Sequence, residues 1–133
     1  MVDGMESRGW DRRYVGWFHC FNRGDYYEAH DVLEDLWLEQ GRAGVNHRFY
    51  KGLIQLAGAY VHLQKGRLGP AVALFRLADA NFAAYPEQHE GMELMRVRAM
   101  AGEWMEAVES GDGNPLGRRP APAVELPAVR VGE

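Results

Sequence analysis

Between residues 48 and 64 apolar positions recur so densely that almost no polar face is left. Phe49, Leu53, Leu56, Tyr60 and Leu63 follow one helical stripe, and Ile54, Ala57 and Val61 a second. A third line runs through Arg48, Gly52, Gln55, Ala59 and His62. At about 100° per residue these lines cover most of a helix circumference, which predicts a buried central helix. It is too short, and too interrupted by Arg48, Lys51, Gln55 and His62, to span a bilayer.

The flanking segments read as helices around that one. Trp10, Tyr14, Trp17, Phe18 and Phe21 make an aromatic stripe over 10–22, ended by Gly24. Asp25 and Glu28 approximate a capping box for a second helix to Gln40, with Ala29, Val32, Leu33 and Leu36 inward. Gly66 and Gly69 stop the central helix, and Pro70 suits the first turn of a fourth, running to Tyr85. A fifth is expected over 91–110, with Trp104 and Val108 inward and Glu103, Glu106 and Glu109 on a solvated face. No strand is expected before the tail.

From Gly111 onward Gly and Pro, including Pro120, Pro122 and Pro127, forbid a helix. Val124, Leu126, Val129 and Val131 are expected to dock this stretch on the body or on a neighbouring chain. The expected organisation is a helical bundle over 1–110, starting with a loose arm at 1–9, and an extended Pro-rich tail over 111–133. Within the bundle, Gly24-x4-Ala29-x3-Leu33 repeats as Gly66-x4-Ala71-x3-Phe75, each at the turn of a helix pair. The pattern is similar to a tetratricopeptide-type hairpin. The fold class is therefore all-α, a compact five-helix bundle with a weak hairpin repeat and an extended C-terminal tail.

Composition narrows the partners. A chain of 133 residues has room for one domain and one core, and 47% hydrophobic with 26% charged residues is ordinary for a globular protein. The net charge of −4 argues against a nucleic-acid partner. Arg8, Arg12, Arg13 and Arg23 read as a solvated face. Cys20 stands alone, which forbids an intramolecular disulfide and suits a small buried hydrophobe. No apolar leader opens the sequence, so a cytoplasmic location is expected. The many aromatics and methionines, with the apolar tail, suggest a homo-oligomer.

Two sets of polar residues fall where apolar ones would bury at less cost. His30, Glu34 and Trp37 recur at i, i+4 and i+7, with Asp31 adjacent, and Arg48, Gln55 and His62 share the third line of the central helix. Gly52 and Ala59 let a neighbour approach that line closely. If the second helix packs there, Glu34 reaches Gln55, His62 or Arg48. Left unpaired inside, such groups would cost several kcal/mol each. Three readings stay open. A hydrogen-bonded network could register the second and third helices, making the chain a non-catalytic binding or scaffold module without a cofactor. A divalent metal could sit on His30, Glu34 and His62 with an open position, although no His-Glu-x-x-His occurs. A small-ligand pocket, hydrolytic in one version, could use His30, Glu34, Gln55 and His62, with Glu34 or His30 as acid or base. Glu34→Ala is expected to destabilise by about 1–3 kcal/mol. His47 and His89 fall near helix ends and are expected to be exposed or capping.

The run Phe21-Asn22-x-Gly24-x-Tyr26-x-Glu28-Ala29-His30-x2-Leu33-Glu34-x2-Trp37, followed by Arg48-Phe49-x2-Gly52-Leu53-Ile54-Gln55-x-Ala57-x-Ala59-x2-His62, resembles the domain-of-unknown-function family numbered 309. The resemblance covers residues from about 14 to 85. It implies a small all-helical bundle and a signature, with no activity attached. The signature positions are His30, Glu34, Trp37, Arg48, Gly52, Gln55 and His62. Asp31 stands where Glu is common in the family, and residues 66–69 lack the Asn often found in that turn.

Overall fold

The computed structural model describes residues 7–130. Five helices follow in order: α1 (Arg12–Asn22), α2 (Tyr26–Gln40), α3 (His47–Gln64), α4 (Leu68–Phe82) and α5 (Leu94–Glu109). Between α4 and α5 lies a two-stranded antiparallel ladder, β1 (Gln88–His89) and β2 (Met92–Glu93). Among the described residues the fold is all-α apart from this ladder and an isolated bridge between Leu116 and Arg119 in the tail.

α3 is the centre, as its pattern requires. Phe49, Leu53, Leu56, Ala57, Ala59, Tyr60 and Leu63 are all buried. The aromatic stripe of α1 packs against it. Trp17 stacks on Phe21, and the Trp17 indole donates to the Leu53 carbonyl at 3.1 Å. Tyr60 is ringed by Phe21, Tyr26, Phe75 and Trp104, drawn from four other helices. Burying such large rings supplies most of the driving force, roughly 1.5–3 kcal/mol for each side chain fully removed from water.

The two hairpins correspond. Ala29 and Ala71 are both fully buried near their turns, and Gly24 and Gly66 take positive φ of 82° and 72°. Small side chains there let α2 and α4 lie against α3 on two sides. Gly52 sets the closest approach: a Cβ at that position would stand 2.6 Å from the ring of buried Phe82.

Several local expectations are corrected. Asp11 caps α1, accepting from the Arg13 amide at 2.8 Å, so the helix starts after Trp10. Asp25 makes no side-chain cap bond on α2, because its carboxylate pairs with Arg23 at 3.2 Å. α4 starts at Leu68 and ends at Phe82, leaving Tyr85 outside it. The Tyr85 hydroxyl instead accepts from the Phe49 amide and donates to the Val45 carbonyl, bracing the start of α3. Residues 88–93 form a hairpin where helix or coil was expected. Glu90 and Gly91 take positive φ of 50° and 74°, the signs that a two-residue hairpin turn of the mirror-image type needs. α5 therefore begins only at Leu94.

The tail runs back along the body. Asn114 Nδ2 donates to the Leu63 carbonyl at 2.6 Å. The Asn22 side-chain amide exchanges two hydrogen bonds with the Val124 backbone, at 2.7 and 2.8 Å. Trp10 Nε1 donates to the Ala128 carbonyl, and the Ala128 amide to the Gly91 carbonyl. Gly91 is needed for this, since a Cβ would press on both Ala128 and Trp10 at 3.0 Å. Val124 is buried and Leu126 half-buried, whereas Val129 is 61% exposed and does not dock. Val131 lies outside the described residues, as does most of the expected N-terminal arm.

Candidate functional site

The polar residues singled out by periodicity fall into three places rather than one. α4, not α2, packs on the line Arg48, Gly52, Gln55. Asn81 of α4 donates to Gln55 Oε1 at 2.7 Å and accepts from Arg48 Nε at 3.0 Å. Arg48 also donates to the Ala80 carbonyl. The expected network between the second and third helices is thus a bridge between α3 and α4, and Glu34 has no part in it. Nor is it deeply buried: Gln55 is half-buried and Arg48 exposed.

Glu34 stands with its own helix neighbours. His30, Asp31 and Glu34 each offer a donor atom within 4.8 Å of the others, and His30 Nδ1 lies 3.3 Å from Asp31 Oδ1. This set replaces the expected His30, Glu34 and His62, since His62 is not in it. Glu34 forms no hydrogen bond or ion pair among the described residues. The basis for a large Glu34→Ala effect is therefore gone.

His30 and His62 do meet one feature in common. α2 and α4 diverge over the middle of α3 and leave a groove of about 230 Å³. Ile54, Gln55, Gly58, Val61 and His62 of α3 form its floor, Tyr27 and His30 one wall, and Leu74 the other. Gly58 is what keeps it open, because a Cβ there would lie 3.1 Å from Leu74 Cδ1. Tyr27 stacks on His30 and is 58% exposed. His62 Nδ1 is buried with no partner among the described residues. Burial, and then the charges of Arg67 and Lys65, hold the His62 imidazole below its ordinary value. The ring therefore favours its neutral form. An N–H at Nδ1 would lack an acceptor, so the proton belongs on Nε2.

Trp37 goes elsewhere, to the turn between α2 and α3, where it stacks on His47 at 5.2 Å. His47 is thus the first residue of α3 and an aromatic partner rather than a cap. His89 is also a packed ring. Its Nε2 lies 2.6 Å from Asn46 Oδ1, and burial lowers its pKa. Asn46, the buried polar residue among those described, also donates to Glu90 Oε2 at 2.8 Å. Neither Asn46 nor Asn81 stood out in the sequence, because an isolated Asn near a helix end carries no periodic signal.

The remaining candidates are structural. Arg13 pairs with Asp11, Asp35 and Glu39, and Arg23 with Asp25, so these two arginines of the N-terminal run are engaged. Cys20 is half-buried, and burial pushes its thiol up, away from a reactive thiolate. Glu103 and Glu106 are exposed, and exposed Glu109 pairs with Arg76 of α4. No helix among the described residues is long and apolar enough to cross a membrane.

An uncharacterized protein of Aquifex aeolicus (strain VF5) is 28% identical over 94 residues, covering 71% of this chain. The matched part is 28% of that relative's length. No solved structure matches the chain. Residues 15–74, which hold α2, α3 and all the signature positions, match the family described as Domain of unknown function (DUF309), so the chain resembles that family.

Proposed function

We propose that the protein is a non-catalytic binding module whose α2–α3–α4 groove receives an apolar side chain of a partner protein. The observation that carries this is the groove's size and lining. At about 230 Å³ it is smaller than the roughly 300–1,000 Å³ of sites that enclose whole small molecules. Ile54, Val61, Leu74 and the Tyr27 ring offer apolar surface, while Gln55 and the His62 Nε2–H can meet backbone carbonyls beside an inserted side chain. No carboxylate or thiol lines it. The longer Aquifex relative supports a module that works beside other segments. Self-association and a cytoplasmic setting belong to the same reading. Exposed Leu77 and Met95 are available for the former, and light scattering measures it.

The test uses toluene, the side-chain analogue of phenylalanine, followed by nuclear magnetic resonance. Saturable shifts at Gly58, Val61 and His62 are expected, and Gly58→Leu should abolish them while the helices persist. Absence of saturation, or shifts that survive Gly58→Leu, would remove the reading.

A second reading rests on the convergence of His30, Asp31 and Glu34. Imidazole and carboxylate ligands suit a divalent metal such as zinc, with positions left for water. Zinc titration of untagged protein should then show one equivalent bound, lost in His30→Ala. Equal zinc uptake by wild type and His30→Ala would sink it.

A further inference from the structure

A separate pocket of about 520 Å³ opens at the α2–α3 turn, lined by Trp37, Leu38, Gly41, Arg42, His47 and Lys51. In a chain with net charge −4, its lining has two cations, one imidazole and no acid. The arrangement has a local cause. Asp35 and Glu39, the acids of α2 that flank Trp37 in sequence, are drawn to Arg13 of α1, at 3.2 Å and at 3.0 and 3.1 Å. Arg42 and Lys51 form no hydrogen bond or ion pair among the described residues. The positive start of α3 and the negative end of α2 both face this turn, so their dipoles largely offset and the side chains set the sign.

The stacked wall adds donors. Trp37 Nε1 and His47 Nδ1 are buried with no partner among the described residues. An imidazole carries an N–H in either tautomer, so His47 can donate. The Trp37 indole is a donor only. It packs on the His47 ring and forms no hydrogen bond among the described residues. Every polar side chain of the lining can therefore give a hydrogen bond.

We infer that this pocket binds the phosphate group of a small phosphomonoester, with Arg42 and Lys51 as charge partners and Trp37 and Leu38 against its organic part. Two cations balance a phosphomonoester, which carries about −1.5 to −2 at neutral pH. The planar Arg42 fork matches two phosphate oxygens at once. The volume falls within the range of small-molecule sites. The α2–α3–α4 groove takes no part.

The test titrates the full chain with phenyl phosphate, inorganic phosphate and succinate, and reads the Trp37 indole N–H and His47 ring signals by nuclear magnetic resonance. Both phosphates should move these signals saturably, phenyl phosphate binding more tightly. Arg42→Ala with Lys51→Ala should weaken both by about tenfold or more, the scale of two charge-assisted contacts. Both positions are exposed, so the variant should keep its thermal midpoint. If its midpoint fell, Arg42→Gln and Lys51→Gln singly would be compared, and each should still weaken binding. Succinate binding as tightly as phenyl phosphate would overturn the phosphate assignment. No saturation up to about 10 mM, or affinity unchanged in the charge variants, would overturn the site.

Discussion

At its His30 end the α2–α3 pair opens into a narrow apolar groove whose far wall is Leu74 of α4. At its Trp37 end it opens into a wider cationic pocket built from α2, α3 and the turn between them. Both ends carry signature residues, His30, Gln55 and His62 in the groove and Trp37 in the pocket. The groove depends on where a third helix lies, so its shape is a product of packing between hairpins. The pocket is lined by α2, α3 and the turn between them, while Asp35 and Glu39 of α2 pair with Arg13 instead. Residues that look like one motif along the chain can therefore serve two surfaces with different chemistry.

Gly52 gives the largest lever on that contrast. Gly52→Ala forces a Cβ against buried Phe82 and should cost about 1–3 kcal/mol by denaturant melting. Because α4 must move, toluene binding in the groove should weaken while the Trp37 signals hold. An unchanged midpoint would mean that α4 does not bear on Gly52. Next comes Asn81→Leu, which leaves Gln55 and Arg48 without their α4 partner. A loss of about 1 kcal/mol is expected, since both groups can recover some water. Equal losses from Asn81→Leu and Glu34→Ala would contradict the α3–α4 bridge.

His62 sharpens the comparison through pH. Its folded pKa is lowered below the ordinary value of about 6.5, so the unfolded chain takes up its proton first as pH falls. Stability is then fully present above that pH and declines as pH drops from about 6.5 towards the folded pKa. His89 contributes the same sign. His62→Gln should flatten the slope of melting temperature against pH between about 5 and 7. An unchanged slope would show that His62 is not the source. The smallest effect is expected for Glu34→Ala. With no partner among the described residues, the change should stay within about 0.5 kcal/mol, again by denaturant melting. A loss of several times that would bring back a structural role for Glu34.

Much of this is legible in the sequence. The density of apolar positions in 48–64 marked α3 as central, and the signature positions were all flagged by spacing. The partner of each was not. Periodicity tells which face a side chain occupies on its own helix, and Arg48 and Gln55 could have met α2 or α4 equally well by that measure. The 88–93 hairpin was invisible because two-residue strands have no room for alternation. The Trp37–His47 stack joins residues ten apart across a turn, where neither helical nor strand spacing applies.

The sequence by itself determined five helical segments, their order, and the burial of α3, because local periodicity and turn residues act over a few neighbours. Only the tertiary structure decided that α4 rather than α2 covers Gly52 and Gln55, and that Asp35 and Glu39 are spent on Arg13. Those outcomes depend on how whole helices dock, where shape and charge from distant stretches compete for the same space.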